Sequence, residues 1–186
     1  MAKQRLLLHA CCGPCSAYVI ESLRPTYDVT LFFYNPNIYP KEEYLKRLDA
    51  VKKVSKEMRV PLVIEEYDQE IWNDAVKGCE SDFEGGKRCE ICIHFRLEVT
   101  AEYAKKNNYD IFATSLTVSP YKNAIMINDI GKDLDREYNI EYLESDFKQN
   151  DGYKKSIILS KQLGLYRQAY CGCIYSMKTN MESPNE

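Results

Sequence analysis

Residues Arg5–Tyr34 read RLLLHACCGPCSAYVIESLRPTYDVTLFFY, and this stretch decides the fold. Arg5–His9 is an apolar run of the length of a buried strand. Ser16–Leu23 has helical spacing and must end near Pro25, because proline keeps the residue before it out of the α region. Tyr27–Tyr34 is a second strand. Strand, helix and strand in this order form a βαβ unit, which joins parallel strands through a helix laid on the sheet.

The alternation continues outward. The turn Asn35–Pro40 leads into a helix over Lys41–Met58, with Tyr44, Leu48, Val51, Val54 and Met58 at helical spacing and Pro40 suited to the first turn. Leu62–Glu65 reads as a strand, Glu70–Val76 as a short helix, and Gly78–Lys87 as a polar loop. Glu90–Lys106 reads as a long helix with an apolar stripe of Cys92, Phe95, Val99 and Tyr103. Asp110–Thr114, Asn123–Tyr138, Ile140–Leu143 and Tyr153–Leu163 continue as strand, helix, strand and helix. The pattern predicts a single-domain α/β protein with a mainly parallel, doubly wound sheet. Residues 1–175 are the expected catalytic domain and 176–186 a tail, with everything after Gly164 irregular. Such sheets bind ligands beyond the carboxyl ends of their strands, where the loops Ala10–Cys15, Asn35–Pro40 and Ser115–Lys122 emerge.

At 186 residues, 45% hydrophobic, with a net charge of -3, the chain has the size and composition of one globular domain. Leu6–Leu8 is too short for a signal peptide, and no stretch approaches the roughly 20 apolar residues that span a bilayer. The expectation is a cytoplasmic protein with no membrane partner. In a reducing compartment its eight cysteines are more often metal ligands or catalytic thiols than structural disulfides.

Seven of them form three groups: Cys11, Cys12 and Cys15; Cys89 and Cys92; Cys171 and Cys173. Cys79 stands apart as a loop or core thiol. The first two groups lie where helices start, and helix N-termini favour thiolates. Two C-x-x-C pairs satisfy tetrahedral zinc by count, yet whole βα units separate them, whereas zinc ribbons space their pairs by roughly 15 to 20 residues. A thiolate-only set equally suits a [4Fe-4S] cluster. Cys171-Gly-Cys173 would close a small, strained ring, and strained disulfides are the labile ones. The competing reading is that both add metal ligands.

His9 and His94 are the only histidines, which leaves few candidates for histidine-based catalysis, and His94 reads as helix surface. No phosphate-binding glycine motif is present, so electrons come from outside. Between Arg136 and Arg167, the cations Lys148, Lys154, Lys155, Lys161 and Arg167 alternate with Phe147, Tyr153 and Tyr166. That composition suits RNA, or equally a solvated helix.

Five motifs in order, HACCGPCS (His9–Ser16), YNPNIYP (Tyr34–Pro40), RCEIC (Arg88–Cys92), TVSPYK (Thr117–Lys122) and GLYRQAYCGC (Gly164–Cys173), resemble the epoxyqueuosine reductases of the QueH type over nearly the whole chain. The resemblance implies the last step of queuosine biosynthesis, reduction of the epoxide of epoxyqueuosine at the wobble position of tRNA. It implies a HUP/PP-loop-like three-layer fold with the metal site at the C-terminal ends of the strands. It assigns a [4Fe-4S] cluster to Cys11, Cys12, Cys89 and Cys92 and a redox-active pair to Cys171 and Cys173, which would cycle through a disulfide. An additional iron ion follows from the same likeness, with Cys15 and Asp146 as candidate ligands; Asp146, in a loop just ahead of the last helix, is also a candidate catalytic proton acceptor, and the missing nucleotide motif calls for an external electron-donor protein or reductant. The rival readings are a zinc-stabilised RNA-binding protein and a thiol-disulfide oxidoreductase.

Overall fold

The structure, a computed structural model, describes residues 2–177. Five strands, β1 (Gln4–His9), β2 (Tyr27–Phe33), β3 (Leu62–Ile64), β4 (Ile111–Thr114) and β5 (Glu141–Tyr142), form one sheet in the order β3-β2-β1-β4-β5. Every pairing is parallel. Between them run α1 (Gly13–Leu23), α2 (Lys41–Met58), α3 (Gln69–Ala75), α4 (Lys87–Lys106), α5 (Ala124–Tyr138) and α6 (Gly152–Gln162), with a 3-10 turn at Ser115–Val118.

The sheet is buried on both faces, so its strands read as near-continuous apolar runs. Successive strand residues face opposite ways. Leu6 and Leu8 join Val29, Leu31 and Phe33 against α1 and α2. Leu7, Phe32 and Phe112 instead meet Ile93 and Leu97 of α4 and Ile127 and Leu134 of α5. The three leucines of β1 are wholly buried, each contributing about 1.5–3 kcal/mol of apolar burial. This is the three-layer, doubly wound architecture that the sequence pattern predicts.

Three boundaries differ in ways that matter for the site. First, α1 begins at Gly13 rather than Ser16, so Cys12 is its N-cap and Cys15 lies in its first turn. Pro14 suits that turn, and a Cβ at Gly13 would fall 2.9 Å from Ala50 of α2. Second, α4 begins at Lys87 rather than Glu90. Its buried face is Arg88, Cys92, Ile93, Arg96, Leu97, Thr100, Ala101 and Ala104, not the predicted stripe of Cys92, Phe95, Val99 and Tyr103. A stripe sought among apolar residues passes over the two arginines, whose guanidinium groups are buried because they donate to carbonyls. Third, residues 174–177 form a helical turn in a segment read as irregular. Of the predicted tail, residues 178–186 lie outside the described residues. Among the described residues no helix is long and apolar enough to cross a membrane.

Candidate active site

With all strands parallel, the segments that follow β1, β2 and β4 open on one edge of the sheet. Cys11 leaves the end of β1, and its sulfur lies 3.8 Å from that of Cys12. Cys11, Cys12 and Cys15 have their sulfurs within 4.8 Å of one another, the only such group of three metal-ligating side chains among the described residues. The Cys11 amide donates to the Ser115 hydroxyl (3.3 Å), which in turn donates to the Cys11 sulfur (3.6 Å). Hydrogen bonds from Cys12 and Cys15 pull the Cys11 thiol well below the ordinary range, and the same bonds push those two thiols up. Of the three, Cys11 is the thiol whose surroundings most favour ionisation.

Cys89 and Cys92 lie one turn apart at the start of α4. The Gly85 amide donates to the Cys89 sulfur at 3.2 Å, and Cys92 packs with Trp72, Val76 and Cys173. Burial raises both thiols, while Arg96 lowers that of Cys92 and Lys122 that of Cys89.

The Cys171-Gly-Cys173 turn is held by groups far away in sequence. Arg47 of α2 donates to the carbonyls of Cys171 (2.8 Å) and Tyr170 (3.0 Å) and pairs with Glu43 at 2.7 Å. The Tyr39 amide donates to the Gly172 carbonyl at 2.7 Å, and the Tyr170 hydroxyl donates to the Tyr39 carbonyl. Gly172 has φ 136°, and a Cβ there would sit 2.9 Å from the Arg47 guanidinium, so no other residue suits the position. Lys122 donates to the Cys171 sulfur at 2.8 Å. All eight cysteines are free in the structure, so Cys171 and Cys173 are not joined by a disulfide there.

Between these groups lies Arg96, 3% exposed. It donates to the Cys92 carbonyl (3.1 Å) and the Asn35 side chain (3.3 Å) and has no carboxylate partner among the described residues. Its charge interacts with Cys92, Cys171, Cys11 and Cys89. A cavity of about 560 Å³ is lined by Cys11, Cys15, Asn35, Arg96, Lys122 and Cys171, among others. A narrow cleft with Cys89, Cys92 and Cys173 on its walls shares Arg96, Lys122 and Cys171 with it. Each cysteine group thus lends residues to the cavity or to the cleft, and Cys171 lines both.

The donors brought together, the thiols of Cys11, Cys12 and Cys15, are of the type that an iron-sulfur group takes, and a buried guanidinium lacking a carboxylate favours a site that carries negative charge. Arg88 Nε, in the cleft region, has no hydrogen-bond partner among the described residues. A buried N–H group of this kind calls for an acceptor.

Other predicted residues fall elsewhere. Asp146 pairs with Lys148 at 3.6 Å, accepts from Gln149, and belongs neither to the sulfur group nor to the cavity wall. His9 is buried between Thr114 and the Tyr34 carbonyl, its pKa lowered to about 4 by burial and then by Arg96, so it is neutral and structural. His94 is half exposed beside Glu98, as a surface residue. Of the basic segment, Tyr153 and Arg167 reach the cavity, whereas Tyr166 donates to Glu43. Arg47 and Arg96 had no sequence signal, since a charge on a helix reads as surface. Asn35 and Lys122 do carry one, as members of two of the five motifs.

A family model described as "Epoxyqueuosine reductase QueH" matches residues 6–179. The chain is 41% identical over 184 residues to the epoxyqueuosine reductase QueH of Thermotoga maritima, covering 97% of this chain and 94% of that one. It is 40% identical over 179 residues to the QueH of Streptococcus pyogenes serotype M1, covering 93% and 70%. Among solved structures, the U34-tRNA thiolase NcsA from Methanococcus maripaludis with its [4Fe-4S] cluster aligns with a TM-score of 0.61 at 16% identity, covering 95% of this chain and 62% of that one. A predicted subunit of tRNA methyltransferase from Methanocaldococcus jannaschii aligns with a TM-score of 0.60, also at 16% identity, covering 85% and 74%. At that identity the structural likeness speaks for the fold alone. The relatives and the family model together mean that this chain belongs to the QueH family of epoxyqueuosine reductases.

Proposed function

We propose that the chain reduces the epoxide of epoxyqueuosine at the wobble position of tRNA to the alkene of queuosine, using a [4Fe-4S] cluster on Cys11, Cys12, Cys89 and Cys92. The observation that carries this reading is Arg96, a buried cation without a carboxylate, set between two groups of thiols at the edge of a cavity. That environment favours thiolates, and the family supplies the reaction. The NcsA structure, with its cluster on the same fold, supports the cofactor by analogy. When bound, the cluster supplies electrons and a metal centre able to polarise the epoxide oxygen.

The chain's own residues do the rest. Arg96 balances the charge of the ligating thiolates. Asn35, Tyr153 and Arg167 offer the wobble nucleoside hydrogen-bonding and stacking partners on the cavity wall. The volume suits a single nucleoside turned out of the anticodon loop. Tyr121, 82% exposed at the rim, offers a neighbouring base a stacking surface. Cys171 and Cys173 give two electrons and two protons on closing to a disulfide, which an external donor reduces again. The catalytic unit is residues 1–175, with 176–186 as a tail, in a cytoplasmic setting. A second iron ion would draw on Cys15, whose thiol is surplus to the cluster. Asp146 would have to leave Lys148 to join it or to act on a proton.

Iron and sulfide analysis with a visible spectrum of anaerobically prepared protein tests the cofactor, and epoxyqueuosine tRNA with a strong reductant tests the activity. Protein without iron, or loaded protein without turnover, overturns the reading.

A further inference from the structure

We infer that Cys171 is the exchanging thiol of the pair and Cys173 the resolving thiol, with Lys122 as the positioning residue that sets this division. The inference rests on the proposed redox role of the pair. Its basis is an asymmetry between two cysteines one residue apart. Cys171 lines the cavity, whereas Cys173 is 7% exposed and lies behind it against Trp72, Val76 and Cys92. Of the two, Lys122 reaches Cys171: its Nζ is 2.8 Å from that sulfur and 3.7 Å from Glu84. Burial alone would favour the neutral amine, but the Cys171 sulfur and Glu84 together keep the Lys122 ammonium protonated. At the Cys173 sulfur the contacts are the Ser176 amide at 3.4 Å and its hydroxyl at 3.5 Å.

A hydrogen bond from a cation is roughly twice as strong as one between neutral groups. In the reduced pair the ammonium is therefore directed at the sulfur that faces the cavity. The backbone gives the turn little freedom to exchange the two roles, because Arg47 and Tyr39 hold the carbonyls of residues 170, 171 and 172.

The exchange then balances with a dithiol as the external donor. A donor thiolate attacks the Cys171 sulfur, the one open to the cavity. A mixed disulfide forms, the Cys171–Cys173 bond breaks, and Cys173 leaves as a thiolate received by the Ser176 amide before it takes a proton. The donor's second thiol closes the donor disulfide and expels Cys171 as a thiolate beside Lys122. Cys171 in turn takes the second proton, so two electrons and two protons pass from donor to pair.

The test is timed alkylation of reduced, iron-loaded full chain by limiting iodoacetamide at pH 7, read peptide by peptide by mass spectrometry. Cys171 is expected to react faster than Cys173. Lys122→Met should slow Cys171 by on the order of fivefold, since it removes the cation that is hydrogen-bonded to the attacking sulfur. Lys122→Arg should retain most of the rate, because it keeps the charge. Cys79, half-buried and outside the site, should react alike in every variant, whereas a general loosening of the fold would change it. Lys122→Gln is the second neutral variant should methionine fail to fold. An unchanged Cys171 rate in the neutral variants, or faster alkylation of Cys173, overturns the inference. Full multiple turnover of a Cys171→Ser, Cys173→Ser double variant would instead overturn the redox reading beneath it.

Discussion

Replacing Arg47 by methionine removes the clamp on the Cys171-Gly-Cys173 turn. Arg47 is 2% exposed and Glu43 6%, so neither partner is left to water when the other is removed. Three interactions are lost together: the 2.7 Å ion pair and the hydrogen bonds to the carbonyls of residues 170 and 171. Glu43 retains only the Tyr166 hydroxyl, at 2.6 Å. Breaking a buried pair from one side costs about 3–5 kcal/mol. For a chain of this length that lowers Tm by roughly 10 °C, taking about 2–4 °C per kcal/mol. Because most of the cost is the stranded carboxylate, the double variant Arg47→Met, Glu43→Gln should recover about 2 kcal/mol relative to the sum of the single variants. Urea unfolding followed by circular dichroism, under reducing anaerobic conditions, measures all three. Multiple turnover should stay low in the double variant, since neutralising Glu43 does not restore the clamp. A loss below about 1 kcal/mol for Arg47→Met, or strict additivity, would refute the reasoning.

Gly172→Ala should leave iron content intact and lower turnover, because φ 136° and the 2.9 Å approach of Arg47 both oppose a Cβ; the strain is about 1–3 kcal/mol, read as a matching drop in Tm. Cys89→Ser and Cys92→Ser should each lose most bound iron and the visible absorption, while Cys79→Ser keeps both. Tyr121→Ala should raise KM for tRNA about tenfold with kcat little changed, as stacking one base is worth about 1–3 kcal/mol; an unchanged KM removes the rim from recognition. Stripping iron from the wild-type chain with a chelator should abolish turnover, and reloading with ferrous iron and sulfide should restore it.

The fold was legible because burial of a parallel sheet on both faces leaves an unmistakable trace. Arg5–His9 and Tyr27–Tyr34 are apolar runs on either side of a helix, and the same period repeats to residue 163. The helix starts were less so: Gly13 and Lys87 begin their helices three residues earlier than expected. A helix start is settled by which neighbour it can approach, such as Ala50 at Gly13, and that neighbour is distant in sequence. Asp146, read as a candidate ligand from its loop, has Lys148 as its neighbour at 3.6 Å, a contact that sequence order alone does not specify.

Local order in the chain determined the alternation of elements, the edge at which the cysteine loops emerge, and the five motifs that resemble the QueH family, because each depends on a few adjacent residues. Tertiary structure alone decided the electrostatics of the site. Whether an arginine on a helix is solvated or buried among thiols depends on what other elements bring to it: Asn35 to Arg96, and the carbonyls of residues 170 and 171 to Arg47. Charge interactions gain strength only where water is excluded, and exclusion is a property of the packed fold.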